Sequence, residues 1–154
     1  MIKSFSLTLN GTDRTVDAEE DTPLLYILRN QFELNGPKFG CGLQQCGSCM
    51  VLMNGQAVPS CGITIAAADN QQITTLEGLI SADGDLHPLQ EAFIEKQAAQ
   101  CGYCLNGMVI SAAAILQKTP DASEEDIRQQ LRINICRCGT HQRIIDAIKS
   151  VDLS

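Results

Sequence analysis

Polar and apolar residues alternate from Ser4 to Asn10, with Phe5, Leu7 and Leu9 on one side of the chain and Ser4, Ser6, Thr8 and Asn10 on the other. A period of two residues marks a strand with one buried face. Asn10-Gly11 is a hairpin signal, and a weaker strand over residues 14–18 is predicted to pair back. Residues 23–30 read as a short helix that opens on Pro23, with Thr22 as its predicted cap. After a glycine-rich loop comes the apolar run Met50-Val51-Leu52-Met53. Asn54-Gly55 then turns the chain and Gln56-Ala57-Val58 returns. Residues 63–67 and 72–74 are predicted to add edge strands.

From residue 88 onward the period lengthens to that of a helix. Residues 88–97 open on Pro88 and put Leu89, Ala92 and Phe93 on one face. Residues 105–117 are apolar nearly all round, as in a helix at the centre of a bundle. Ser123 and Asp126 resemble a capping box ahead of Ile127 and Leu131. Thr140 is the predicted cap of a last helix with Ile144, Ala147, Ile148 and Val151 on one face. The chain is thus α+β. A strand-rich lobe over residues 1–80, with the order of elements of a β-grasp ferredoxin, precedes a four-helix lobe over residues 81–154, and the polar stretch 81–85 is the connector.

Composition and charge remove several functions. The chain has 154 residues and a net charge of −7, from 11 basic and 18 acidic side chains. Neither half is basic, so a nucleic-acid partner has no electrostatic footprint. No apolar run reaches the roughly 18 residues of a membrane span. The first residues lack the apolar stretch of a signal peptide, so the cytoplasm is the expected compartment. A partner with its own export signal would carry the chain elsewhere.

Eight cysteines change the picture most. They form two sets, Cys41, Cys46, Cys49 and Cys61, then Cys101, Cys104, Cys136 and Cys138. Disulfides fit poorly with a chain of this length whose cysteines bunch in short loops. The first set reads C-x4-C-x2-C…C, the spacing of a plant-type [2Fe–2S] site. One wrapped loop supplies three thiolates, and Cys61 follows a hairpin that brings it within reach. The loop from Gly36 to Cys49 holds four glycines, which permit the sharp turns and close backbone approach that a cluster requires. The second set, C-x2-C…C-x-C, fits zinc as well as iron by spacing alone. Both of its pairs precede helices, where free N–H groups favour an anionic group.

Other chemistry is not indicated. Gly40-Cys41-Gly42 does not continue as a dinucleotide-binding fingerprint. His87 and His141 are assigned surface or capping roles. The carboxylates are scattered, and the methionines at 50, 53 and 108 read as core. No catalytic residue is predicted.

The motifs Phe39-Gly40-Cys41-Gly42…Cys46-Gly47-Ser48-Cys49, Gln100-Cys101-Gly102-Tyr103-Cys104 and Asn134-Ile135-Cys136-Arg137-Cys138-Gly139 resemble the iron–sulfur subunits of the xanthine oxidase family of molybdenum hydroxylases. The resemblance spans essentially the whole chain. It implies one [2Fe–2S] cluster on Cys41, Cys46, Cys49 and Cys61 in the β-grasp lobe, and a second on Cys101, Cys104, Cys136 and Cys138 in the helical lobe. It implies a large partner subunit that binds the molybdopterin cofactor, with Gln100 and Cys138 near the pterin, and a flavin or cytochrome partner as a further acceptor. The substrate would be an N-heterocycle or an aldehyde. On the residues alone, a zinc-stabilised interaction module and a free-standing two-cluster ferredoxin are the competing readings. Two departures stand out. Gln44 replaces a frequent Gly, which predicts a less relaxed loop backbone. Leu105-Asn106-Gly107 replaces a frequent Thr-Pro-Gly, a variation shared by heterocycle-type small subunits.

Overall fold

The computed structural model describes residues 1–151. Residues 152–154, the end of the helical lobe as delimited from the sequence, lie outside the described residues. Strands β1 (Ile2–Leu9) and β2 (Thr12–Glu19) form the first hairpin. Its turn puts Asn10 and Gly11 at φ of 50° and 77°, the mirror-image turn that matches strand twist. Strands β3 (Met50–Met53) and β4 (Gln56–Pro59) form the second hairpin through Asn54-Gly55 in the same conformation. β5 (Gln72–Thr74) joins the two hairpins, parallel to β1 and antiparallel to β3. The sheet order is β2-β1-β5-β3-β4.

Three expectations for this lobe need correction. Residues 72–74 form a central strand and not an edge strand, because β1 and β3 each leave one side open for it. Residues 63–67 do not form a strand. Thr64 caps a short helix α2 (Ile65–Ala68) by accepting from the Ala67 N–H, and Ile65 and Ala68 fill the core. The helix over residues 23–30 is a single α turn, α1 (Leu24–Tyr26), that widens into a π-helical turn at Ile27–Gln31. Thr22 does not cap it. Its carbonyl accepts from the Ile65 N–H at 2.8 Å, while the Leu24 N–H donates to the Ile63 carbonyl at 2.7 Å. A tertiary pairing thus replaces the local cap.

The second lobe has the four expected helices, α3 (Pro88–Glu95), α4 (Leu105–Lys118), α5 (Glu124–Gln130) and α6 (His141–Lys149). His87 caps α3 by accepting from the Leu89 N–H, in a capping box with Gln90. Ser123 and Asp126 form the expected box on α5. α4 is buried on most sides, and Met108, Val109, Ala112, Ile115 and Leu116 join Leu89, Phe93, Ile127, Ile144 and Ile148 in one core. The first lobe has its own core of Phe5, Leu7, Leu9, Val16, Leu24, Ile27, Leu28, Val51, Ile65 and Ile73. A third, small cluster of Met50, Leu52 and Ile110 lies where β3 meets α4, and it joins the lobes.

Candidate metal centres

The loop between α1 and β3 is closed by the Lys38 N–H, which donates to the Ser48 carbonyl at 3.0 Å. Inside it, Gly42, Gln44 and Gly47 have φ of 66°, 60° and 76°. These left-handed residues reverse the backbone repeatedly and turn N–H groups toward sulfur. The Leu43 and Gln45 N–H groups donate to Cys41 Sγ at 3.3 and 3.2 Å, and the Cys41 N–H donates to Cys46 Sγ at 3.4 Å. A Cβ on Gly40 would stand 2.7 Å from Cys46 Sγ, so the chain passes this thiol too closely for any side chain. Gln44 holds its left-handed conformation at a cost of about 1–2 kcal/mol, in line with the strain expected of that substitution. Its side chain lies over Gly62, where a Cβ would overlap it.

The thiols of the first set meet in pairs, Cys41 with Cys46 and Cys49 with Cys61. Cys61 arrives on a 3-10 turn (Ser60–Gly62) whose Ser60 hydroxyl donates to the Cys49 carbonyl at 2.6 Å. The N–H groups of Gln45 and Leu43 lower the Cys41 thiol to about 7. Burial raises that of Cys49 to about 11, with Cys61 beside it.

The second set is drawn from two chain turns. Cys104 is the N-cap of α4, and Cys101 lies one turn earlier, across Gly102 at φ 82°. Cys136 and Cys138 lie on the turn before α6, with Gly139 at φ 77°. Here Cys101 neighbours Cys138, Cys104 neighbours Cys136, and Cys101 is also close to both Cys104 and Cys136. The Tyr103 N–H lowers Cys101, and burial raises Cys104 to about 12. Burial opposes ionisation of Cys136, yet donors from Thr140 and Gly139 outweigh it and bring the thiol down to about 7.

Thr140 corrects a prediction. It stands at the N-cap of α6, but its side chain makes no capping bond. Its hydroxyl instead lies 3.2 Å from Cys136 Sγ. The sequence signal was its position four residues after a cysteine, and a local capping rule cannot see that alternative acceptor.

Sequence reasoning also missed the residues that seat the two loops against each other. Asn106 is 1% exposed, and its Nδ2 donates to the Ser48 carbonyl at 3.0 Å and the Met50 carbonyl at 2.9 Å. Gly107 presses on Gly47, and Asn134, which donates to Ser111 Oγ at 3.0 Å, lies against Gly47 as well. The Ile135 N–H, next in chain to Cys136, donates to the Cys46 carbonyl at 3.0 Å. The Tyr103 hydroxyl donates to the Phe39 carbonyl, and the Phe39 ring stacks on Tyr26. Cysteine-bearing loops from both lobes are therefore in direct contact. Gln100 is exposed just before Cys101, and Cys138 is partly exposed.

These features fit iron–sulfur clusters. Each set offers thiols in neighbouring pairs, backbone N–H groups aimed at sulfur, and glycines where the chain must turn or approach closely. The match to known families agrees. Residues 7–77 match the 2Fe-2S iron-sulfur cluster binding domain and residues 75–149 match the [2Fe-2S] binding domain. The chain is therefore a two-domain protein of the [2Fe–2S] class, and the zinc reading of the second set is not favoured. It is 53% identical to a nicotinate dehydrogenase subunit from Pseudomonas putida, over 97% of this chain and 94% of that one. It is 46% identical to the alpha subunit of isoquinoline 1-oxidoreductase from Brevundimonas diminuta, over 91% of each. The crystal structure of quinoline 2-oxidoreductase from Pseudomonas putida 86 superposes with a TM-score of 0.92 at 36% identity, covering 97% of this chain and 91% of that chain. Aldehyde oxidoreductase from Desulfovibrio desulfuricans gives 0.90 at 40% identity, over 96% of this chain and 16% of that larger one. The chain belongs to the small iron–sulfur subunits of the xanthine oxidase family of molybdenum hydroxylases.

Proposed function

We propose that the chain is the electron-relay subunit of a molybdenum hydroxylase, passing electrons from the molybdopterin centre of a large partner subunit to an acceptor. The observation that carries this reading is the contact of the two cysteine-bearing loops across the lobe boundary, centred on the Ile135–Cys46 hydrogen bond. The proposed ligands are Cys41, Cys46, Cys49 and Cys61 for one cluster, and Cys101, Cys104, Cys136 and Cys138 for the other. The proposed domains are residues 1–80 and 81–154. Bound [2Fe–2S] clusters supply one-electron storage at each site. The chain's part is to hold them, to exclude bulk water with the cores beneath each loop, and to offset the added negative charge of reduction. The N–H groups on Cys41 and Cys46 do this in one lobe. The Thr140 hydroxyl and the starts of α4 and α6 do it in the other.

Gln100 and Cys138, exposed and partly exposed beside the helical-lobe site, are proposed to face the pterin of the partner. The names of the relatives support an N-heterocycle as substrate, with an aldehyde as the second choice. A flavin or cytochrome partner is the proposed acceptor. No helix among the described residues is long and apolar enough to cross a membrane. The cytoplasm is the proposed location.

Purified protein is expected to hold about four iron and four sulfide per chain and to show two distinct reduced [2Fe–2S] EPR signals. It is also expected to co-purify in fixed ratio with a larger molybdenum subunit. Two clusters without any such subunit would instead establish a free-standing ferredoxin.

Thr140→Val keeps the size and branching of the side chain but removes the donor to Cys136. The helical-lobe cluster should become harder to reduce, because a hydrogen bond to a thiolate favours the more negative state. A difference of about 1 kcal/mol in that bond between redox states is about 40 mV for a one-electron couple. A redox titration followed by EPR checks this. The β-grasp signal should hold its potential, and an unchanged helical-lobe potential would remove Thr140 from this role.

A further inference from the structure

A surface groove that no cysteine lines lies elsewhere on the chain. It occupies about 760 Å³ between the β3–β4 hairpin on one side and the outer half of α4 with the end of α5 on the other. Its lining contains Lys118 and Arg132 and no carboxylate. Neither cation makes an ion pair or a side-chain hydrogen bond with another described residue, as is also true of Arg14, Lys96 and Arg137, so both are free to pair with an incoming carboxylate. The carboxamides of Gln56, Gln117, Gln129 and Gln130 also line the groove, over a floor that includes Ala57, Ala114 and Ile115.

One wall is a sheet edge. β4 pairs only with β3, so its outer side carries unpaired backbone groups, and Gln56 and Ala57 of this strand face the groove. A free edge is a template for an added extended chain. Side-chain amides both donate and accept, and so can satisfy the N–H and C=O groups of such a chain. Gln117, Lys118, Gln129, Gln130 and Arg132 are exposed, so the walls are too open to bury a small ligand on most sides.

We infer that this groove is a docking site for an extended, carboxylate-bearing segment of the large partner subunit. The inference rests on the relay reading above. Lys118 and Arg132 pair with carboxylates of that segment, and the amides and the β4 edge hold its backbone. A cationic groove on an acidic chain then orients the encounter by charge and by main-chain pairing, at a surface separate from the cluster loops.

The test uses the chain co-expressed with its large subunit. Reversal of both charges (Lys118→Glu with Arg132→Glu) should weaken association roughly tenfold or more and flatten its salt dependence. Both EPR signals of the small subunit should persist, which separates lost docking from lost folding. The milder pair Lys118→Gln with Arg132→Gln should fall between. The same charge change on the first hairpin (Lys3→Glu on β1 with Arg14→Glu on β2) should leave affinity near that of the wild type. Carbodiimide treatment of the wild-type complex should join Lys118 to an Asp or Glu of the large subunit, read by mass spectrometry. Unchanged affinity in the double reversal, equal weakening by the control pair, or the absence of that cross-link would overturn the inference. A wild-type chain that binds no molybdenum subunit would instead sink the relay reading itself.

Discussion

Gly107→Ala is expected to destabilise the protein by about 2–3 kcal/mol, the upper part of the usual cost of overpacking. Helix propensity alone predicts the opposite sign, since alanine is favoured over glycine inside a helix by roughly 0.5–1 kcal/mol. Gly107 is the third residue of α4, and a Cβ there would overlap the Gly47 carbonyl oxygen and stand 2.8 Å from its carbonyl carbon. The obstacle is backbone, so no rotamer change relieves it. Gly47 cannot retreat freely either. It is held at φ 76° between Cys46 and Ser48, and a Cβ on it would overlap the Asn134 side chain. Either α4 tilts away, stretching the Asn106 bonds to Ser48 and Met50, or the loop bearing Cys46 and Cys49 shifts. The thermal midpoint of the cluster-loaded protein should fall by roughly 5–10 °C, and the β-grasp EPR signal should broaden or shift. A midpoint equal to or above that of the wild type would show that the lobes are not seated through this contact.

Cys138→Ser is expected to abolish the helical-lobe EPR signal, with iron falling from about four to about two per chain. The Cys138 thiol neighbours that of Cys101, and a serine hydroxyl is a poor substitute for a soft thiolate ligand. The other signal should remain. The core of the β-grasp lobe, from Phe5 to Ile73, contains no residue of α3 to α6, and Cys138 is outside the Asn106–Gly107–Asn134–Ile135 seat. Iron analysis with low-temperature EPR on the dithionite-reduced variant measures both quantities. Loss of both signals together would mean that the lobes do not fold independently.

The two predictions divide along what could be read from residue order. The Cys41–Cys46–Cys49 spacing, the Asn10-Gly11 and Asn54-Gly55 turns, and the Ser123–Asp126 box were all legible, because each is an interaction within a few residues. The face of Ile144, Ala147 and Ile148 on α6 was legible from its period. Position 44 was legible as a strained site only through the resemblance, which places a frequent Gly there, and Gln44 does hold a left-handed backbone.

Residue order by itself thus determined the two lobes, the hairpins, the four helices and the sets of thiols. Tertiary structure alone decided which side of the sheet β5 entered, why Thr22 gave up its cap to pair with Ile65, and that Thr140 turned to the Cys136 sulfur. It also decided the seat in which Asn106, Gly107, Asn134 and Ile135 hold one cysteine loop against the other. For the Thr22–Ile65 pairing and for the Asn106 and Ile135 bonds the physical reason is the same. A buried N–H, C=O or hydroxyl must find a partner, and when the best partner lies dozens of residues away, no local pattern can announce it.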